Sequence, residues 1–252
     1  MFSLATKFSP EAANFEKACC SGYDHAELFL TPTRLMSWRT LSKIARSYEM
    51  NYVLHFPTCS KATLETSEEV VLLAHDINCR TISVHEDCLE TAMGIREIDP
   101  QLQLCVENQS VEFEKLDSWI AANEFITLNV ENLWKQTLQD DDFSELESVI
   151  RRLFHRHRER IRSVHLSGYR PGRESKTPLA KSAEFTNRIF DILLAENFDG
   201  IVVGEIDVQH QTSELLKADL ALFHRWQNQN GLYHVPAGLF GSTPQLNNTL
   251  PQ

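Results

Sequence analysis

Apolar and polar positions alternate in short blocks along the chain, and between those blocks the period lengthens to that of an amphipathic helix. Apolar, β-rich runs at 2–6, 25–30, 52–56, 82–85, 102–107, 125–130, 161–166 and 201–206 predict eight strands. Helical stretches are expected between them. One opens at Ser9-Pro10-Glu11 with proline in its first turn, and others cover 38–49, 64–76, 112–122, 183–196 and 213–228. A long helix opens at Asp140-Asp141-Asp142, where carboxylates suit the positive end of the helix dipole. After the fourth strand only a short connection is expected.

Strands alternating with helices at this spacing argue for βαβ units and a parallel sheet. Eight such units over about 230 residues favour an α/β fold with a single (β/α)8 TIM barrel over an open doubly wound sheet. The first strand–helix turn also lacks the G-x-G-x-x-G of dinucleotide folds. The barrel is expected over 1–234, followed by a polar, flexible tail over 235–252 that is rich in Asn, Gln, Pro, Thr and Gly.

Charge narrows the partners. Against 24 Lys and Arg stand 35 Asp and Glu, a formal charge of −11. An acidic chain disfavours nucleic acid and anionic membranes, so the expected partner is a small-molecule substrate, with homo-oligomer formation left open. No apolar run approaches the roughly 20 residues of a membrane span, and Met1–Lys7 does not read as a secretory signal. Six cysteines without a C-x-x-C pair suit a reducing compartment, and a cytoplasmic location is expected.

In such a barrel the chemistry belongs at the C-terminal ends of the strands. Those ends read Leu54-His55-Phe56, Val84-His85-Glu86, Val106-Glu107-Asn108, Leu128-Asn129-Val130-Glu131-Asn132, Val164-His165-Leu166 and Gly204-Glu205-Ile206. A single histidine of this kind is ordinarily a satisfied core residue. Core packing gives no reason to place ionisable groups at one rim on so many strands, because inward barrel positions normally carry branched aliphatics. Imidazole and carboxylate converging on one point is metal chemistry: Glu107, His165 and Glu205 offer one nitrogen and two anionic oxygens. His55 and His85 extend the set as a second metal or substrate group. Without a metal, Glu107 and Glu205 would repel as anions, raising one pKa towards neutrality and leaving a pair able to move a proton beside a carbonyl.

In strand order, Val53-Leu54-His55, Val84-His85, Val106-Glu107-Asn108, Val164-His165-Leu166 and Gly204-Glu205 resemble the xylose isomerase-like TIM-barrel superfamily, which includes sugar-phosphate isomerases, epimerases and the endonuclease IV enzymes. The resemblance implies one divalent ion (Mn, Mg, Co or Zn) on Glu107, Asn129, His165 and Glu205. It also implies an acid–base role for the two glutamates, and a grip on substrate oxygens by Arg170. The chain departs from the family at strand six, where Asn129-Val130-Glu131-Asn132 replaces an Asp-x-x-His, so the metal site is expected to be weakened or absent. On a continuing strand Glu131 would share a face with Asn129 and could restore the missing charge. Ser175-Lys176-Thr177 stands where the endonucleases have a zinc-binding Asp-x-His, which counts against that activity. Trp134, after strand six, is expected either to stack on a sugar at the pocket mouth or to pack into the core. The basic run at 155–160 reads as a cationic helix C-terminus.

The expected function is therefore a metal-assisted isomerase or epimerase of a small sugar, sugar phosphate or related hydroxy-carbonyl compound. A metal-dependent phosphodiesterase using His55 and His85, and a barrel that binds a ligand without turnover, are the alternatives.

Overall fold

Alternation along each strand decides what faces the barrel interior and what faces the helices. The computed structural model describes residues 1–58 and 63–232; the tail expected over 235–252 lies outside them. Eight strands follow one another in space as in sequence: β1 Ser3–Phe8, β2 His25–Phe29, β3 Asn51–His55, β4 Thr81–His85, β5 Gln103–Glu107, β6 Phe125–Asn129, β7 Ile161–Leu166 and β8 Ile201–Gly204. Neighbours are parallel throughout. β8 closes onto β1 with Leu4 opposite Val202 and Thr6 opposite Gly204. The chain is thus a (β/α)8 barrel.

Outward-facing Leu28, Leu54, Ile126, Leu128, Val164 and Val202 are fully buried beneath the surrounding helices. The helices are α1 Ala12–Cys20, α2 Pro32–Leu35, α3 Trp38–Arg46, α4 Leu64–Asp76, α5 Leu89–Ile98, α6 Leu116–Ala122, α7 Val130–Asn132, α8 Phe143–His157, α9 Ala183–Ala195 and α10 Ser213–Gln229. Their apolar stripes meet the sheet at helical spacing, as with Leu146, Val149, Ile150, Leu153 and Phe154 of α8. Side-chain oxygens begin several of them: Thr63 and Thr66 form a capping box on α4, and Thr212 accepts from the Leu215 N–H on α10. No helix among the described residues is long and apolar enough to cross a membrane.

Inside the barrel the pattern reverses. Small or polar residues (Ala5, Ser83, Cys105, Thr127 and Ser163) hold positions where branched aliphatics are usual, and all are buried. Ser83 Oγ and Thr127 Oγ1 hydrogen-bond at 2.9 Å, and Ser83 also donates to Glu27 Oε2 at 3.3 Å.

Three local expectations are corrected. The connection after β4 contains α5, ten residues long, because Ala92 and Ile95 bury an apolar face despite Gly94. β1 continues past Thr6 to Phe8 and carries Lys7 into the barrel. β6 stops at Asn129 instead of Val130. There the Asn129 side chain accepts from the Asn132 N–H at 2.9 Å and caps a helical turn, which ends the extended backbone.

Candidate active site

The strands bring Glu27, His55, Glu107, Asn129, His165 and Glu205 together at the C-terminal end of the barrel, all nearly inaccessible to solvent. Lys7 from β1 joins them: its Nζ lies 3.0 Å from Glu27 Oε1 and 3.0 Å from Glu205 Oε1. His165 Nε2 meets Glu27 Oε2 at 2.9 Å. Its Nδ1 lies 3.3 Å from Glu107 Oε2 and 3.9 Å from Glu205 Oε2, without a well-aligned hydrogen bond to either. Asn129 links the two glutamates, its Nδ2 donating to Glu107 Oε1 at 2.9 Å and Glu205 Oε2 at 2.8 Å.

Burial would push these carboxyls up, but the ion pairs win. Glu205 is held at about 2: burial, the largest influence, and the repulsion of Glu107 would raise it, but Lys7, His165 and Lys176 together outweigh them. Glu27 and Glu107 also sit well below the ordinary carboxylate range, their burial overcome chiefly by His165 and Lys7. Burial would depress His165 and Lys7, yet the surrounding carboxylates raise both, His165 to about 10. The expectation that repulsion between Glu107 and Glu205 lifts one of them towards neutrality is thereby overturned. His85 moves the other way, lowered to about 4 because burial outweighs Glu107. At neutral pH the centre therefore pairs three carboxylates with Lys7, a cationic His165 and Lys176, whose Nζ lies 3.3 Å from Glu205 Oε1.

The divalent ion implied by the family pattern can be tested against this donor set. Glu107, His165 and Glu205 each bring a donor atom within 4.8 Å of the others. The fourth position disagrees. Asn129 Oδ1 is taken by the Asn132 N–H, so the amide nitrogen faces the carboxylates, and an N–H has no lone pair for a cation. Lys7 already holds the other oxygen of Glu205, Oε1, at 3.0 Å. The four-residue set does not fit a divalent ion. A second group, His55, His85 and Glu107, also gathers its donors within 4.8 Å. There His55 Nδ1 is tied to the Phe56 carbonyl at 3.0 Å, while its Nε2 faces Glu107 Oε2 at 3.3 Å.

The remaining expected site residues lie elsewhere. Glu131 leaves the strand face because α7 begins at Val130. Its Oε2 accepts from Ser167 Oγ at 2.6 Å and from the Lys176 N–H at 3.0 Å, so it organises the loop after β7 and joins neither donor group. Arg170 and Trp134 line a separate cavity with Phe143 and Phe185, and Trp134 Nε1 is spent on the Asp141 carbonyl at 2.7 Å. The cavity over the glutamates, about 460 Å³, is lined instead by Lys7, Lys176, His85, Asn132, Gln109 and Gln136. Lys176 adopts a left-handed backbone (φ 51°). Its N–H is held by Glu131 and its carbonyl by the Asp207 N–H.

No protein-family model matches the chain, and no curated sequence matches it. Solved structures do match in fold. A D-tagatose 3-epimerase-like protein superposes over 91% of this chain and 98% of its own at 14% identity and TM-score 0.62. A xylose isomerase domain protein from Planctomyces limnophilus covers 90% and 97%, at 11% identity and TM-score 0.61. A D-allulose 3-epimerase from Methylomonas sp. covers 89% and 96%, at 11% and 0.59. The barrel shares its fold with these proteins. At these identities the likeness is one of fold, and the chemistry must be argued from the site.

Sequence reasoning missed Lys7 and Glu27. Both were legible as charged residues at alternate, inward positions of otherwise apolar strands, Lys7 opposite Glu27 in the register of β1 with β2. Lys7 was lost because the first strand was ended two residues too soon, at Thr6 instead of Phe8.

Proposed function

We propose that this barrel is an isomerase or epimerase of a small hydroxy-carbonyl compound, of the size of a sugar or sugar phosphate, working by proton abstraction next to the carbonyl. The observation that carries the reading is the pair Glu107 and Glu205, bridged by one amide group and facing a polar cavity of about 460 Å³. Hydroxyl-rich ligands suit the lining, with Gln109, Ser110, Asn132 and Gln136 as donors and acceptors.

The step balances simply. A carboxylate takes the proton from the carbon bearing a hydroxyl, the C–H electrons become the C=C bond of an enediolate, and the negative charge collects on the former carbonyl oxygen. Returning that proton to the neighbouring carbon, with transfer of the hydroxyl proton between oxygens, interconverts ketose and aldose. Returning a proton to the opposite face of the original carbon would epimerise it, and needs a second carboxyl that is already protonated. Both glutamates are ionised in the resting site, so one-carboxylate isomerisation is the form favoured. A carboxylate at about 2 is a weak base. Substrate oxygens that draw Lys176 away from Glu205 raise its basicity at the moment of binding. Lys176, rather than Arg170, is placed to grip an anionic or hydroxyl oxygen at the rim.

The test is a panel of short ketoses, aldoses and their phosphates, followed by NMR for product. Conversion of at least one member is expected, falling by about a hundredfold or more in Glu205→Gln and in Glu107→Gln. Variants as active as the parent would refute the assignment.

A further inference from the structure

Lys7 is an unusual resident for a barrel interior. Its side chain is only 10% exposed, and it carries a full positive charge between Glu27 and Glu205, with Asn129 donating to Glu205 and Glu107 beside it. We propose that the Lys7 ammonium is the permanent cation of this centre, doing the electrostatic work of a divalent ion for the glutamates and for the substrate carbonyl, so that the reaction needs no bound metal.

Three observations support it. First, the donor polarity around Asn129 is that of a site built for anions alone: two N–H bonds point at two carboxylates, where a metal would require an oxygen pointing inward. Second, Lys7 donates a hydrogen bond to Glu205 Oε1 and pairs with Glu27 Oε1 at 3.0 Å as an ion pair without a well-aligned hydrogen bond, and it lines both the cavity over the glutamates and the adjoining cavity bounded by Ser9, Asn14 and Gln211. Its ammonium thus keeps a hydrogen for an oxygen of a bound ligand, where charge develops in the enediolate. Third, the placement is fixed from below. Glu27, fully buried, is itself held by His165 Nε2 and Ser83 Oγ, so the ammonium is preorganised and does not have to be drawn in by substrate.

The catalytic half of the proposal rests on the isomerase reading; the cation half rests on geometry alone and can be tested without a substrate. All titrations use a His85→Ala background, which removes the second donor group, and Mn²⁺ as the probe, followed by calorimetry and by the paramagnetic signal of free ion. The His85→Ala protein is expected to bind Mn²⁺ only weakly. Adding Lys7→Met, which keeps the stem and removes the charge, is expected to tighten binding tenfold or more, and adding Glu205→Gln to that variant should abolish the gain. Should Lys7→Met fail to fold, Asn129→Asp in the same background supplies the missing oxygen and should show the same gain. A tight equivalent of Mn²⁺ in the His85→Ala protein, lost with Glu205→Gln, would overturn the proposal. So would a Lys7→Met or Asn129→Asp variant with unchanged affinity. If instead no substrate is ever turned over while the titrations behave as described, it is the isomerase reading that fails and the cation assignment that stands.

Discussion

Replacing Asn129 by aspartate exchanges one atom and should reverse the electrostatics of the whole centre. The amide nitrogen donates to Glu107 at 2.9 Å and Glu205 at 2.8 Å. A carboxylate in its place would face two anions. Like charges about 3 Å apart repel by roughly 5 kcal/mol per pair even at an effective dielectric near 20. Taking up a proton is the less costly route, and its cost is set by the unfolded chain: about 1.4 kcal/mol for every pH unit above an aspartate pKa near 3.9. The penalty is therefore near zero below about pH 4 and reaches about 4 kcal/mol at pH 7. One lost charge-assisted hydrogen bond adds about 1–3 kcal/mol at any pH. The sign follows because the folded-state pKa is raised, so the folded protein binds the extra proton and loses stability as pH rises. Urea denaturation of parent and variant at about pH 5 and about pH 7.5 should show a stability gap wider by about 3 kcal/mol at the higher pH. Saturating Mn²⁺ should narrow that gap. A gap of the same size at both pH values, or one below about 1 kcal/mol at pH 7.5, would refute the reading of Asn129 as the donor that holds the two carboxylates together.

Other perturbations probe the supporting structure. His165, raised from 6.5 to about 10, contributes stability that is whole below its unfolded pKa and lost as pH rises through about 10. Thermal midpoints of the parent should accordingly decline across that alkaline window, and His165→Gln should flatten the decline; a flat parent profile contradicts the ion pairing. At Gly168 an added Cβ would run into the Pro178 carbonyl oxygen, so Gly168→Ala must displace the loop that carries Lys176. A loss of about 1–3 kcal/mol in urea denaturation is expected, and no loss would contradict the close approach. Asp219 is raised from 3.8 to about 6 by burial while accepting from the Ala180 N–H at 2.8 Å. Its charge therefore destabilises the folded state progressively as pH rises from 3.8 through 6, and Asp219→Asn, which keeps an acceptor oxygen, should leave the thermal midpoint at about pH 7.5 equal or higher. A clear drop in that midpoint would contradict it.

Much of this architecture was readable in the chain because period and punctuation agree: eight apolar runs separated by helical stretches admit few closed solutions. The rim was readable for the same reason, since His55, His85, Glu107, His165 and Glu205 each end an apolar strand, and four of the five are deeply buried there. What escaped was decided by neighbours distant in sequence. Glu131 could stand on the Asn129 face only if the strand continued, and it does not, because the Asn129 side chain satisfies a backbone N–H three residues on. The ionisation of Glu107 and Glu205 depended on Lys7, some 200 residues from Glu205 in sequence and 3.0 Å from it in space. Arg170 and Trp134 follow strands seven and six at plausible spacings, yet their loops turn them into the neighbouring cavity. Spacing places a residue on a rim, but only packing decides which way its side chain faces.

The most direct measurement is deuterium wash-in: chelator-treated parent protein in D₂O with the converted sugar, the exchange at the carbon beside the carbonyl being followed by NMR with and without added Mn²⁺. Exchange is expected at the same rate in both samples, with none in Glu205→Gln. Exchange that appears only when metal is restored would contradict that expectation.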